Sequence, residues 1–99
     1  DNLTVTSNKA GLVVVNGNTI TDSATVKVYR GTTPSVVVGM GDLDNYTVSA
    51  TVGDDVVLTE AGTYTFANGL NADTDISVIY VEDTESTIAL GTVRVLSSQ

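Results

Sequence analysis

The residues best placed to do chemistry are oxygen donors in turns. Asp42, Asp44 and Asn45, in the stretch GDLDN, stand at the alternating spacing with which a loop presents side-chain oxygens to a calcium ion. Asp54 with Asp55, and Asp73 with Asp75, are further turn carboxylates. Calcium takes about six to eight oxygens, so two or three such loops would have to meet at one end of the molecule. Asp and Asn also favour turns for a local reason, since their side chains bond to nearby backbone. The twelve-residue EF-hand spacing with its terminal Glu is absent. Asp42, Asp44 and Asn45 are therefore the calcium candidates, and no other cofactor is expected.

Paired carboxylates also raise glycoside hydrolysis, which needs a cleft and usually aromatic platforms for sugar. The chain has no Trp; Phe66, Tyr29, Tyr46, Tyr64 and Tyr80 are its whole aromatic stock. Tyr29 and Tyr46 are the candidates for stacking on a carbohydrate, whereas Tyr64 and Phe66 share parity and are expected in the core. With no Cys and no His, disulfides, thiolate metal sites, ordinary zinc sites and Ser-His triads are excluded. The expectation is that the protein is not an enzyme.

Two further positions bear on location. Asn2 (NLT) and Asn45 (NYT) are acceptor sequons for N-glycosylation, which points to the outside of a cell. The chain begins at Asp1, as expected after removal of a signal peptide or excision from a longer chain. No apolar run approaches the roughly 18 residues of a membrane span. Net charge is −8, and between Gly31 and Val93 there are ten acids and no base. Nucleic acid and anionic membrane surfaces are therefore poor partners. The same charge favours solubility and suppresses unwanted association.

The elements that must carry these residues are strands. Val and Thr make up a third of the chain, and Gly and Asn punctuate it. No stretch sustains a helical period. Strands are expected at 3–6, 12–15, 24–30, 35–40, 46–52, 56–59, 63–67, 76–81 and 87–96, with a hairpin turn at NGN (16–18). Ala24, Val26 and Val28 should face one way, and Thr25, Lys27 and Tyr29 the other. The last stretch changes phase near Gly91, between Ile88 with Leu90 and Val93 with Val95, which suggests a bulge. Turns every 8–12 residues over 99 residues predict one domain, 1–99, built as a two-sheet β-sandwich.

Two stretches carry a resemblance. TEAGTYTFANGL (59–70) is similar to the tyrosine corner of immunoglobulin domains, with Phe66 where their Cys would stand. Two strand patterns follow it, so it reads as the third strand from the end. GLNADTDISVIYV then resembles the fibronectin type III pattern at Leu70, Thr74 and Val78, with Ala72 and Ile76 replacing its Pro and Tyr. VVVNGNTITDSATVKVY resembles the early hairpin of the prealbumin-like (Cna-B type) repeats of bacterial surface proteins. The resemblance implies an immunoglobulin-like, fibronectin type III-like sandwich, with Leu70, Ile76 and Val78 anchoring its core at a corner. A Cna-B repeat would also imply an intramolecular isopeptide bond. Lys27 has the outward parity, Lys9 lies in a turn and the last strand has no Asn, so that bond is not expected.

The remaining oddity is apolar excess. LVVV, SVVVG and ISVIYV are apolar at both parities, although a strand in a lone sandwich buries only one face. This points to a subunit that packs against copies of itself or against neighbouring surface-protein domains. Leu3 and Val5 share a face at a free chain end, so residues 1–7 could add as a donor strand to a neighbour, with an acceptor groove around Val37 and Ile79. The alternative is that residues 3–6 are the first strand of their own sandwich. The function expected is that of a non-catalytic building block of an extracellular surface layer, adhesin stalk or pilus-like filament. A virion decoration or tail module, and a carbohydrate- or receptor-binding module, are the alternatives.

Overall fold

A computed structural model describes residues 1–83. Over these residues the chain is all-β, with two sheets packed face to face. Nine strands follow in order: β1 (Asn2–Ser7), β2 (Val13–Val15), β3 (Asn18–Thr19), β4 (Ser23–Lys27), β5 (Ser35–Val38), β6 (Tyr46–Val52), β7 (Asp55–Leu58), β8 (Gly62–Thr65) and β9 (Thr74–Glu82). One sheet has the order β4-β1-β9-β6-β7 and the other β3-β2-β5-β8. The expected strand at 87–96 and the phase change at Gly91 lie outside the described residues.

Each strand follows from its alternation. In β1, Leu3 and Val5 point into the sandwich, and Asn2, Thr4 and Thr6 point out. In β9, Ile76, Val78 and Tyr80 are buried while Asp75 and Ile79 are not. Two tight turns are dictated locally. Asn16 and Gly17 link β2 to β3 with positive φ at both residues (48° and 85°), as a type I′ hairpin turn requires. Gly53 (φ 59°) opens the two-residue turn from β6 to β7, the place where a type II′ turn needs glycine. The β6–β7 register shifts between Ala50 and Thr51, so Val57 is an extra residue on β7.

The N-terminal strand lies inside its sheet. β1 runs antiparallel to β4 and parallel to β9, pairing Leu3 with Val26 and Thr74, and Val5 with Ala24 and Ile76. The parallel pair is possible because the two strands are far apart in sequence, with the rest of the fold as their crossover.

The core lies between the sheets. Leu3, Val5, Val48, Ala50, Ile76 and Val78 come from the first sheet, and Val13, Val15, Val36 and Val38 from the second. Ile20, Val28, Phe66 and Leu70 close the ends. Burying each large aliphatic side chain contributes about 1.5–3 kcal/mol. Leu70, Ile76 and Val78, the expected corner anchors, are all buried, as is Phe66. The Tyr64 and Phe66 rings meet edge to face, 4.9 Å between centroids.

One polar contact ties the layers together, and two others secure β1 and the turn that follows it. The buried Tyr80 hydroxyl donates to the Gly39 carbonyl at 2.6 Å, joining β9 to the end of β5 in the opposite sheet. Burial pushes the Tyr80 phenol above its ordinary value. Asn8 sits one residue beyond β1, and its side chain continues the ladder. Its Oδ1 accepts from Tyr80 N–H at 2.7 Å, and its Nδ2 donates to Tyr80 C=O at 2.8 Å. Ser7, a buried polar residue, donates to the Lys9 carbonyl and accepts from Lys9 N–H.

Candidate functional site

The strand directions sort the loops into two ends. Tyr46 at the start of β6 pairs with Glu82 at the finish of β9, and Gly62 opens β8 opposite Val38. This end carries the 39–45 loop and the 59–61 turn. At the other end Val52 pairs with Asp55 and Leu3 with Thr74. That end carries Asp54, Asp55, Asp73 and Asp75. The ends are separated by the length of β6, roughly 23 Å at about 3.3 Å per residue.

The turn carboxylates are thereby divided. Asp42, Asp44 and Asn45 are exposed in the 39–45 loop, a full strand length from Asp54, Asp55, Asp73 and Asp75. Asn45 takes a left-handed backbone (φ 60°), which Asn tolerates, and its carbonyl accepts from Asp83 N–H. The Asp73 carboxylate accepts from Asn2 N–H at 2.9 Å, at the start of the β1–β9 pairing. Among the described residues no three carboxylates gather into a group that could hold a metal ion. Calcium at the 39–45 loop would have two carboxylates, the Asn45 amide and backbone oxygens to work with.

The other candidates are equally dispersed. Asn2 and Asn45 are both exposed, on the outer side of β1 and at the opposite end of the sandwich. Tyr29 is 68% exposed beyond β4, with Lys27 Nζ 6.0 Å from its ring centre. Tyr46 is half-buried at the opposite end, with Lys9 Nζ over its ring at 4.9 Å. The two tyrosines therefore do not form one platform. Lys27 is exposed and outward, and Lys9 follows β1.

Leu3 and Val5 are fully buried in the chain's own core. β1 has partners on both sides, so giving it to a neighbour would mean exchanging a built-in strand. Val37 and Ile79 are both exposed, but they lie on the outer faces of different sheets. Periodicity fixes the parity of a residue within its strand and does not say which sheet the strand joins. A single groove around both residues is therefore not available within one copy.

A cleft lies at the Tyr46 end. It holds about 400 Å³ and is lined by residues 46–48 of β6, Met40, Thr59, Glu60 and Ala61. β6 forms one wall and the 59–61 turn the other. On this side β7 and β8 are the outermost strands of their sheets. One signal in the sequence marks this place. Gly62 has the same parity as Tyr64 and Phe66, so an inward position on β8 carries no side chain.

No known protein family, curated protein or solved structure matches the chain. The functional reading therefore rests on the geometry.

Proposed function

We propose that this domain is an immunoglobulin-like, non-catalytic building block of an extracellular surface assembly, in which copies pack against one another. The observation that carries the proposal is apolar surface on both outer faces. Val37 is exposed on one sheet; Val56 (60% exposed), Ile79 and Val81 are exposed on the other. Ile79 and Val81 stand two apart on the outer face of β9, and apolar neighbours of this kind suit a subunit that packs against others. The six passages of the chain between the two sheets support the immunoglobulin-like type. The exposed sequon residues Asn2 and Asn45 and the acidic surface suit an extracellular setting.

The test is sedimentation of the purified full chain over a wide concentration range, paired with electron microscopy. Filaments or large regular species support the proposal, and a monomer at every concentration removes it. The cleft beside Tyr46 favours a second reading, a module that binds a small glycan. Binding on a glycan array that is lost in Tyr46→Ala would support it. A virion decoration module would share the packing surfaces and differ in its neighbours.

A further inference from the structure

The charges of this domain are segregated from its two broad faces. Lys27 ends β4, Asp55 opens β7, Asp75 is the second residue of β9 and Glu82 its last. Every other charged residue among those described lies outside the strands. The middle of each sheet is therefore neutral on its outer side. Across the larger sheet the register sets Ser23, Thr6, Ser77, Thr51 and Val56 side by side in one row. The next rows pair Ile79 with Ser49 and Val81 with Thr47. Across the smaller sheet Thr19, Val14, Val37 and Thr63 make a row of the same kind. These side chains are short and mostly β-branched, so they lose little rotamer freedom when covered. They offer methyl groups and hydroxyls, and no charge that would have to leave water.

Charge decides what can cover these faces. The chain carries a net charge of −8, and its acids lie at the two ends of the sandwich. Two copies that meet end to end bring acid against acid. Two copies that meet face to face leave the end carboxylates in water, where screening over about 8 Å at physiological salt limits their repulsion. A chain whose opposite outsides are both neutral and both carry β-branched residues can present one to the other. Sheets pack in this way about 10 Å apart, with strand directions within about 30°.

We infer that copies stack face to face, the outer side of the larger sheet of one copy against the outer side of the smaller sheet of the next, with Ile79 and Val81 meeting Val14 and Val37. This rests on the self-assembly reading above and names its contact. Val37 and Ile79, on opposite outsides of one copy, come together between two. The contact uses different surfaces on the two partners, so it does not close and propagates as a stack. Each copy adds two sheet spacings, so the stack repeats roughly every 20 Å. Salt strengthens it, because screening weakens the repulsion between acid ends and the contact contains no ion pair to lose.

Two full chains, each with one face spoiled, test this. Ile79→Asp puts a charge on the larger face and Val37→Asp puts one on the smaller. Both sites are exposed, so the fold should survive, and circular dichroism checks it. Thr47→Glu and Thr63→Glu, at exposed positions that are already polar, repeat the pair if either first variant unfolds. Each variant alone should lose the large species that the parent shows in sedimentation. Mixed one to one they should form a dimer and stop there, through the sound smaller face of the first and the sound larger face of the second. The parent should form larger species in about 0.5 M than in about 0.05 M sodium chloride. Variants that assemble as the parent does overturn the contact and leave self-assembly standing. A dimer of either variant on its own means that a face meets its own kind, and the head-to-tail contact falls. Mixtures that stay monomeric while the parent assembles overturn it too, as does assembly that weakens with salt. A parent that is monomeric at every concentration and salt removes both readings.

Discussion

Replacing Asn8 with Ala tests how the centre of the larger sheet is closed. The Asn8 side chain makes two bonds to Tyr80, taking the place of one more residue of β1 against β9. Truncation deletes both and leaves the Tyr80 N–H and C=O to find water. A typical intramolecular hydrogen bond contributes about 0.5–1.5 kcal/mol net, so two contribute about 1–3 kcal/mol. Asn8 is itself exposed, so water can reach the site, and about 2 kcal/mol is the working figure. In a domain of this size, 1 kcal/mol moves the midpoint by about 4–8 °C, so the expected fall is about 8–16 °C. Thermal melting followed by circular dichroism, with urea unfolding beside it, measures this. Asn71→Ala, in an exposed loop, is the control and should stay within about 0.5 kcal/mol of the parent. An Asn8→Ala protein that melts within a degree or two of the parent would refute the reasoning. The β1–β9 ladder would then hold without its side-chain extension.

Four other outcomes are expected. Leu70→Ala removes a buried anchor and should cost about 2–5 kcal/mol, read as a lower urea midpoint. Burial raises the Tyr80 phenol, so its contribution is whole below the ordinary value of about 10 and is lost as pH rises towards the folded one. The urea midpoint should therefore fall above about pH 10, and Tyr80→Phe should flatten that fall. With two exposed carboxylates at the 39–45 loop, melting in calcium and in EDTA should coincide. A shift equivalent to about 2.7 kcal/mol at 100 times the dissociation constant would instead assign the site to Asp42, Asp44 and Asn45. Deleting residues 1–7 takes Leu3 and Val5 from the core and parts β4 from β9, so the product should not fold. A folded, non-polymerising product would return the donor role to Leu3 and Val5.

Much of this fold is legible in local pattern. Alternation in ATVKVYR placed Ala24, Val26 and Val28 inward, and the Asn16-Gly17 turn announced its hairpin, because period and turn chemistry are properties of neighbouring residues. Pairing is a different kind of information. Nothing within DNLTVTS says that β1 lies between β4 and β9, since the partners of a strand are set by which side chains meet across the core. For the same reason Val37 and Ile79 look alike in sequence yet occupy opposite outer faces. Asn8 looks like an ordinary turn residue, and its two bonds depend on a residue 72 positions away. At the candidate sites, Gly62 was a readable sign of a gap on an inward face. The division of the acidic turns between the two ends became visible only once strand directions were known.

The most direct test of the self-assembly reading is analytical ultracentrifugation of the full chain from micromolar to millimolar concentration, with the same samples imaged by electron microscopy. The account predicts a sedimentation profile that shifts to large species as concentration rises, with filaments of regular repeat in the images. A single monomer-sized boundary across the whole range, with no regular particles, would contradict it.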